Sequence, residues 1–103
     1  MTQPLDPTVQ EFVAALNDND QDRFYAILTE DATMSDDGVE RNLTLWTDSE
    51  IFGSNGRMNV ETVGDGGTEL VADYTNTRWG SMRTAWRFTV RNGKISRFET
   101  GQA

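Results

Sequence analysis

The strictest pattern in the chain is the alternation of apolar and polar side chains over residues 81–90, SMRTAWRFTV. A period of two is that of a β-strand with one covered face. The next residues, RNGK, contain Asn92-Gly93, the strongest short signal for a tight antiparallel hairpin. The segment KISRFETG is therefore predicted to be the partner strand. Ile95 and Phe98 are out of phase for one flat face, which predicts a bulge between them.

Two more strands are predicted upstream, so that the four form an antiparallel meander. They span residues 57–63 and 68–76 and are joined by GDGG, a turn between strands rather than a phosphate-binding loop, because no helix follows it. Pairing Tyr74 with Thr84 puts the apolar side chains of both strands on one face. The meander is therefore predicted to have one covered face.

The alternation also predicts which side chains are buried. Trp86 and Phe88 are expected to face the core, and Arg87 is expected to point away from the helices. The other face carries Asp73 near Arg83 and Arg87. Such a mixed surface could meet a second copy of the chain through pairs between Asp73 and these arginines.

Helical periodicity dominates the beginning of the chain. The segment DPTVQEFVAALNDND predicts a helix capped by Asp6, with Pro7 in its first turn. The segment DQDRFYAILTED predicts a second, shorter helix capped by Asp20, with Ile27 and Leu28 in its apolar stripe. The two helices are expected to form a hairpin with a tight polar corner.

A short strand and a third helix are predicted next. DATMSDDG reads as a strand that is closed by an Asp-Asp-Gly turn. RNLTLWTDSEIFGSNG fits a third short helix that is capped by Asn42 and ended by Gly53 to Gly56. Asp48 and Glu50 on this helix are expected to face solvent. Helices first and an antiparallel meander afterwards predict an α+β domain.

Composition narrows the possible functions. The 103 residues are expected to form a single domain over residues 1–103, and no apolar run approaches a membrane span. There is no cysteine and no histidine, which excludes disulfides, thiol nucleophiles and a Ser-His-Asp triad. The net charge of −8 disfavours nucleic acid as a partner. A cytoplasmic location is the default expectation.

Two segments together resemble the nuclear transport factor 2-like superfamily, which includes SnoaL-like polyketide cyclases and ketosteroid isomerases. They are VQEFVAALNDNDQDRFYAILTEDATMSDDG and WRFTVRNGKISRFETG. The resemblance implies a cone-shaped roll in which three N-terminal helices pack on one curved antiparallel β-sheet. It also implies a pocket at the open end of the cone and, commonly, a homodimer through the outer face of the sheet.

The resemblance and the assignment of faces predict the residues of that pocket. The expected lining side chains are Phe12, Tyr25, Trp46, Met58, Tyr74, Asn76 and Trp86. The aromatic ones could equally be core fillers in so small a domain. A buried Tyr74 hydroxyl needs a partner, which Asn76 or Thr84 could supply.

Asp36 is the one carboxylate that is predicted to be catalytic. It lies where ketosteroid isomerases carry their general base, in a similar Ala-Thr-x-x-Asp stretch. The alternative is that Asp36 and Asp37 only turn the chain. A base in an apolar pocket should have a raised pKa, because burial disfavours the charged form, whereas a turn residue should not.

The resemblance weakens at the oxyanion hole, which this family builds from a tyrosine on the first helix and a protonated aspartate on a late strand. Phe12 holds the first position, and Ala85 or Thr84 the second. One such donor is worth roughly a hundredfold in rate. Steroid isomerisation is therefore not expected.

The sequence thus predicts a protein that binds a hydrophobic or aromatic metabolite. Any catalysis would be metal-free and cofactor-free acid-base chemistry of the isomerase, cyclase, dehydratase or hydrolase type. The alternative is a non-catalytic dimeric binding or accessory module whose core is filled and leaves no usable cavity.

Overall fold

A computed structural model describes residues 4–103, with three helices on one side of a six-stranded sheet. The elements are α1 (Pro7–Asn17), α2 (Gln21–Ala26), β1 (Leu28–Asp36), β2 (Val39–Arg41), α3 (Leu43–Thr47) with a π-helical turn (Asp48–Phe52), β3 (Arg57–Gly64), a 3-10 turn (Asp65–Gly67), β4 (Glu69–Asn76), β5 (Gly80–Arg91) and β6 (Lys94–Gln102). The strand order is β2-β1-β6-β5-β4-β3. All neighbours are antiparallel except β1 and β6, which are parallel.

The three helices begin at the predicted capping residues. The Asp6 carboxylate accepts a hydrogen bond from the backbone N–H of Thr8 at 2.8 Å. Asp20 accepts from the N–H of Arg23 at 3.2 Å, and the Asn42 side chain caps α3 in the same way. Each cap satisfies a backbone donor that the first turn of a helix leaves unpaired. No helix within residues 4–103 has the length and apolar character needed to cross a membrane.

The second helix is shorter than predicted, and the first strand is longer. α2 ends at Ala26, and Leu28 opens β1 instead of completing a helical stripe. The cause is pairing with β6, because the backbone N–H of Ile95 donates to the carbonyl of Ile27 at 2.8 Å and Leu28 pairs with Ile95. Tertiary pairing here outweighs the local helical pattern. The short strand β2 was not predicted.

Both tight hairpins have the geometry that their sequences demand. Asp37-Gly38 joins β1 to β2, and Asn92-Gly93 joins β5 to β6. All four residues have positive φ, between 50° and 81°, as a two-residue type I′ turn requires. The predicted bulge in β6 is confirmed, since Val90 pairs with Ile95 while Thr89 pairs with Arg97. The turn proper is thus Asp37-Gly38, and Asp36 belongs to the strand.

The predicted register of β4 against β5 is wrong by two residues. Tyr74 pairs with Met82 rather than Thr84. The reason is the turn, in which the Asn76 side-chain oxygen accepts from the backbone N–H groups of Arg78 at 3.1 Å and Trp79 at 2.7 Å. A shift of two leaves every side chain on its predicted face, because the period of a strand is two.

The core lies between the helices and the inner face of the sheet. Phe12 is fully buried and contacts Phe24, Phe88 and Phe98, with ring centroids 4.7–5.1 Å apart. Trp86 and Phe88 are buried as predicted. Arg87 points outward and pairs with Glu69, at 3.3 Å. The α+β prediction, with helices covering one face of a largely antiparallel sheet, is confirmed.

Candidate functional site

A cavity of about 430 Å³ opens on the inner side of the sheet, between α3, the β4–β5 turn and the end of β6. Four of its lining side chains are aromatic: Trp46, Tyr74, Trp79 and Trp86. Trp46, Tyr74 and Trp86 are buried in the wall, whereas Trp79 at the mouth is 58% exposed. Five lining residues are charged: Asp36, Asp37, Arg41, Glu50 and Arg78. Polar atoms thus meet an aromatic wall within one concave site.

Asp36 and Asp37 have different roles because they lie on either side of the strand end. Asp36 is the last residue of β1 and shares the inner face with Met34, so its half-buried carboxylate lines the cavity. Its Oδ2 accepts a hydrogen bond from Trp46 Nε1 at 3.0 Å. Asp37 is exposed, and its Oδ1 accepts from the backbone N–H of Gln102 at 2.9 Å. Asp37 therefore fixes the end of β6, whereas Asp36 is held at the cavity wall.

The π-helical turn after α3 presents a backbone carbonyl to two side chains of β4. The N–H of Gly53 donates to the carbonyl of Asp48, five residues back, at 2.6 Å. The carbonyl of Glu50 accepts instead from the Tyr74 hydroxyl at 2.6 Å and from Asn76 Nδ2 at 3.0 Å. The Tyr74 hydroxyl thus donates to a carbonyl that it shares with Asn76 Nδ2. Turns of this kind are frequent at functional sites.

Tyr74 keeps its proton over a wide pH range. Burial of the hydroxyl raises its pKa well above the ordinary value, and the nearby Glu50 carboxylate raises it further. Both effects disfavour the negative phenolate. Tyr74 is therefore a hydrogen-bond donor in this wall rather than a base.

The Glu50 side chain was expected to face solvent, and the structure places it at the cavity mouth, 18% exposed. One carboxylate oxygen accepts from Trp79 Nε1 at 2.8 Å, and the other lies 3.9 Å from the Arg78 guanidinium. That guanidinium also bonds Ser49 and lies 5.2 Å from the centroid of the Trp79 ring. These contacts tie the β4–β5 turn to the π-helical turn. Sequence alone gave no signal for them, because the partners are 28–29 residues apart.

Deeper in the wall, the side chains of Trp86 and Thr84 are joined by a hydrogen bond. Trp86 Nε1 donates to the Thr84 hydroxyl at 2.8 Å, and that hydroxyl donates to the carbonyl of Ala72 at 3.3 Å. Ala85 lies on the outer face of the sheet, where it lines a different groove. Neither Thr84 nor Ala85, the two positions considered for the oxyanion-hole aspartate, therefore offers a free hydrogen-bond donor to the cavity.

The structure brings five of the eight predicted site residues to one cavity: Asp36, Trp46, Tyr74, Asn76 and Trp86. Phe12 lies in the aromatic core, and Met58 is buried on β3; neither is among the cavity's lining residues. Tyr25 lines a separate depression of about 390 Å³ and shares a hydrogen bond with Thr47. Reasoning from the sequence missed Glu50, Trp79 and Met82.

A surface depression of about 510 Å³ lies on the opposite, outer face of the sheet. It is shallow and is lined by short side chains such as Val71 and Ala85, with Arg87 at its edge. The arginines of this face pair within the chain: Arg83 with Glu61 at 2.9 Å, and Arg87 with Glu69. Asp73 accepts from the Ser81 hydroxyl at 2.8 Å. The pairs between Asp73 and these arginines that were expected between two copies of the chain stay a prediction. Within residues 4–103, no three acidic side chains are arranged to hold a metal ion on either face.

Neither a protein-family model nor a curated protein matches the sequence. Solved structures do match. A candidate polyketide cyclase from Sinorhizobium meliloti is 19% identical and superposes with a TM-score of 0.76, over 93% of this chain and 94% of that one. An NTF2-like protein of unknown function from Cytophaga hutchinsonii is 16% identical, with a TM-score of 0.72 over 97% and 92% of the two chains.

A third structure is a hypothetical protein with a ketosteroid isomerase-like fold from Catenulispora acidiphila, in complex with trimethylamine. It is 13% identical, with a TM-score of 0.66 over 93% of this chain and 85% of that one. At such identities the likeness concerns the fold. The expectation from the two sequence segments is confirmed at that level: the chain has the nuclear transport factor 2-like fold shared by SnoaL-like and ketosteroid isomerase-like proteins.

Proposed function

We propose that this protein binds a small hydrophobic or aromatic molecule in the cavity between α3 and the β4–β5 turn. The observation that carries the proposal is the combination of about 430 Å³ of space with a wall of Trp46, Tyr74 and Trp86. Ligand pockets typically have a volume of about 300–1,000 Å³, a mostly apolar lining and a few well-placed polar groups. The structural relatives that are candidate polyketide cyclases are consistent with this class of ligand.

The wall is fixed before any ligand arrives, which favours binding. Each of the three wall aromatics uses its polar atom within the protein: Trp46 on Asp36, Tyr74 on the Glu50 carbonyl and Trp86 on Thr84. Their rings are therefore held in place, and a ligand loses little affinity to ordering them. Aromatic pairs at 6.0–6.3 Å between ring centroids complete the wall.

The catalytic form of this proposal uses Asp36 as the acid-base residue. Because Trp46 holds Oδ2, the remaining oxygen of the carboxylate has a defined direction at the cavity wall. Tyr74 retains its proton and the Glu50 carboxylate is engaged by Trp79 and Arg78, so proton abstraction in this cavity would fall to Asp36. A C–H or O–H placed within about 3 Å of that oxygen would meet the geometric requirement for general-base chemistry. Isomerase, cyclase, dehydratase and hydrolase reactions all include such a step.

The binding test uses the indole N–H signals of the three tryptophans in a two-dimensional NMR spectrum, with 4-tert-butylphenol as a neutral probe. All three tryptophans line the cavity, so occupancy should shift their signals in a saturable way. Met82→Trp, which fills the cavity from β5, should abolish the shifts. Thr89→Trp adds the same ring at an exposed position of the same strand and should bind as the wild type does. Unchanged indole signals across a panel of aromatic compounds would refute the proposal.

We propose as a second candidate that the outer sheet face pairs with another copy of the chain and that the protein acts as a dimeric accessory module. The observation that favours it is the shallow groove of about 510 Å³ on that face. Ala85→Glu introduces a charge at its centre and should convert a dimer to a monomer in sedimentation, while Arg91→Glu at the far end of β5 should not. A wild-type chain that is strictly monomeric at micromolar concentration would reject this candidate.

A further inference from the structure

We propose that the ligand of the cavity is an organic cation, an amphipathic alkyl- or arylammonium, for which Asp36 is the counter-ion. This inference rests on the proposed binding function and names the chemical class of the ligand. It gives Asp36 a role that differs from both a general base and a turn residue. Four features of the cavity carry it: its charge, the position of the Asp36 carboxylate, its aromatic lining and the placement of its arginines.

The charged side chains of the cavity leave a net negative site. The Arg78 guanidinium lies 3.9 Å from the Glu50 carboxylate, so these two charges compensate each other. The remaining charged lining residues are Asp36 and Asp37, which are negative, and Arg41, which is positive, so negative charge is in excess. The whole chain adds a net charge of −8, which raises the local concentration of cations and lowers that of anions.

Asp36 is placed to pair with a cation inside the cavity. Its carboxylate is half-buried, and among residues 4–103 it has no ion-pair partner; its Oδ2 is held by a neutral indole N–H. A carboxylate in such a place attracts a cation more strongly than an exposed one does, because the surrounding dielectric is lower. A neutral donor orients the carboxylate without cancelling its charge.

The aromatic wall suits the same class of ligand. Aromatic faces attract ammonium groups, and clusters of rings are a known means of binding alkylated ammonium ions. Trp46, Tyr74, Trp79 and Trp86 all line the cavity. The Arg78 guanidinium, 5.2 Å from the centroid of the Trp79 ring, already makes such a contact at the mouth. Four rings and an unpaired carboxylate are complementary to a molecule that is apolar in bulk and positively charged.

Arg41 is the lining cation whose charge no carboxylate among residues 4–103 compensates, and its position limits its effect on an anion. It lies on the edge strand β2, is exposed to solvent and has no ion-pair partner among residues 4–103. Its charge is therefore screened by water.

The experiment compares three probes of nearly equal shape that differ in charge. They are 4-hydroxyphenyltrimethylammonium, the neutral 4-tert-butylphenol and the anion 4-hydroxybenzenesulfonate. The readout is titration of the tryptophan indole signals at fixed ionic strength. We expect the cation to bind about tenfold more tightly than the neutral probe, a factor to which the ion pair with Asp36 and the aromatic rings both contribute. The anion should bind most weakly.

Two matched variants assign the preference to Asp36. Asp36→Asn keeps an oxygen for Trp46 and should reduce the preference for the cation several-fold, leaving only the share that the aromatic rings contribute. Asp31→Asn removes the same charge from the same strand at an exposed position that pairs with Arg91, and it should leave the preference unchanged. Circular dichroism and melting curves verify that both variants fold.

Each outcome distinguishes this inference from the function on which it rests. If the neutral probe binds as tightly as the cation, or the sulfonate binds best, the ligand is not a cation, although the binding function stands. If Asp31→Asn and Asp36→Asn weaken binding of the cation equally, only the net charge of the protein matters and the role of Asp36 is refuted. If none of the three probes shifts the indole signals, the binding function itself fails.

Discussion

Gly56 allows the contact between the π-helical turn and β4. The effect of replacing it on the free energy of unfolding measures how tightly the cavity wall is packed. A β-carbon at Gly56 would overlap the Tyr74 hydroxyl oxygen and lie 3.1 Å from both Tyr74 Cζ and Ile51 Cα. The backbone of Gly56 is not in the left-handed region, so alanine is not excluded by backbone strain. Gly56→Ala should therefore destabilise the protein by displacing the tyrosine.

The magnitude follows from the contacts. Overpacking of this kind costs about 2 kcal/mol. Tyr74→Phe loses the hydrogen bond to Glu50 and should cost about 1 kcal/mol, because Asn76 still satisfies that carbonyl. Independent effects would sum to about 3 kcal/mol. In the double variant the overlapping oxygen is absent, so we expect a loss of only about 1.5 kcal/mol, which is less than the loss caused by Gly56→Ala alone.

Urea denaturation followed by tryptophan fluorescence measures the four free energies of unfolding of this double-mutant cycle. Gly64→Ala is the matched control: its β-carbon would meet nothing within 4 Å, and its backbone is extended, with φ −142°. Alanine there should be neutral or slightly stabilising. Additive losses from the two substitutions would refute the reasoning, since they would mean that the tyrosine hydroxyl is not what the new methyl group strikes.

Three further predictions concern the same wall. Because burial raises the pKa of Tyr74, the folded protein keeps this proton at pH values above the ordinary pKa of 10.0, whereas the unfolded chain loses it. The free energy of unfolding should therefore fall as the pH rises above about 10, and it should fall less steeply in Tyr74→Phe. Denaturation midpoints at several pH values would show this difference. The protein should not isomerise an unsaturated ketosteroid above background, since Phe12 has no donor and the Thr84 hydroxyl is already used; turnover that disappears in Asp36→Asn would contradict this. The same Asp36→Asn variant should change the free energy of unfolding by less than about 1 kcal/mol, because its amide oxygen can still accept from Trp46; a larger stabilisation in melting curves would show that the charge is held at a cost.

The fold could be predicted from the sequence wherever the signal is local. The alternation around Trp86, the turn at Asn92-Gly93 and the caps at Asp6 and Asp20 are each decided within a few residues, and each is confirmed. The register of β4 against β5 could not be predicted, because it depends on the side chain of Asn76 bonding two backbone groups of the turn. Likewise, the start of β1 depends on pairing with a strand almost seventy positions later in the chain.

In the candidate site, too, some residues could be predicted from local patterns and others could not. Strand periodicity placed Tyr74, Asn76 and Trp86 on the inner face, where the structure has them. Glu50 was missed because its role comes from a π-helical turn, which widens the helix and rotates its side chains away from the positions that a regular 3.6-residue period predicts. Met58 is buried as its alternation suggests, but the depth of a cavity along a strand is a tertiary property that no local pattern encodes.

The position of β6 has a consequence for how the chain reaches this state. β6 is the last strand along the sequence, yet it lies in the interior of the sheet, between β1 and β5. Until it is present, β1 and β2 have no neighbour that joins them to the meander, and the two halves of the sheet remain apart. The sheet is therefore complete only once β6 has joined it, and closing the long loop from β1 to β6 carries an entropic cost that slows folding. Removing β6 would not trim an edge strand but would divide the sheet in two.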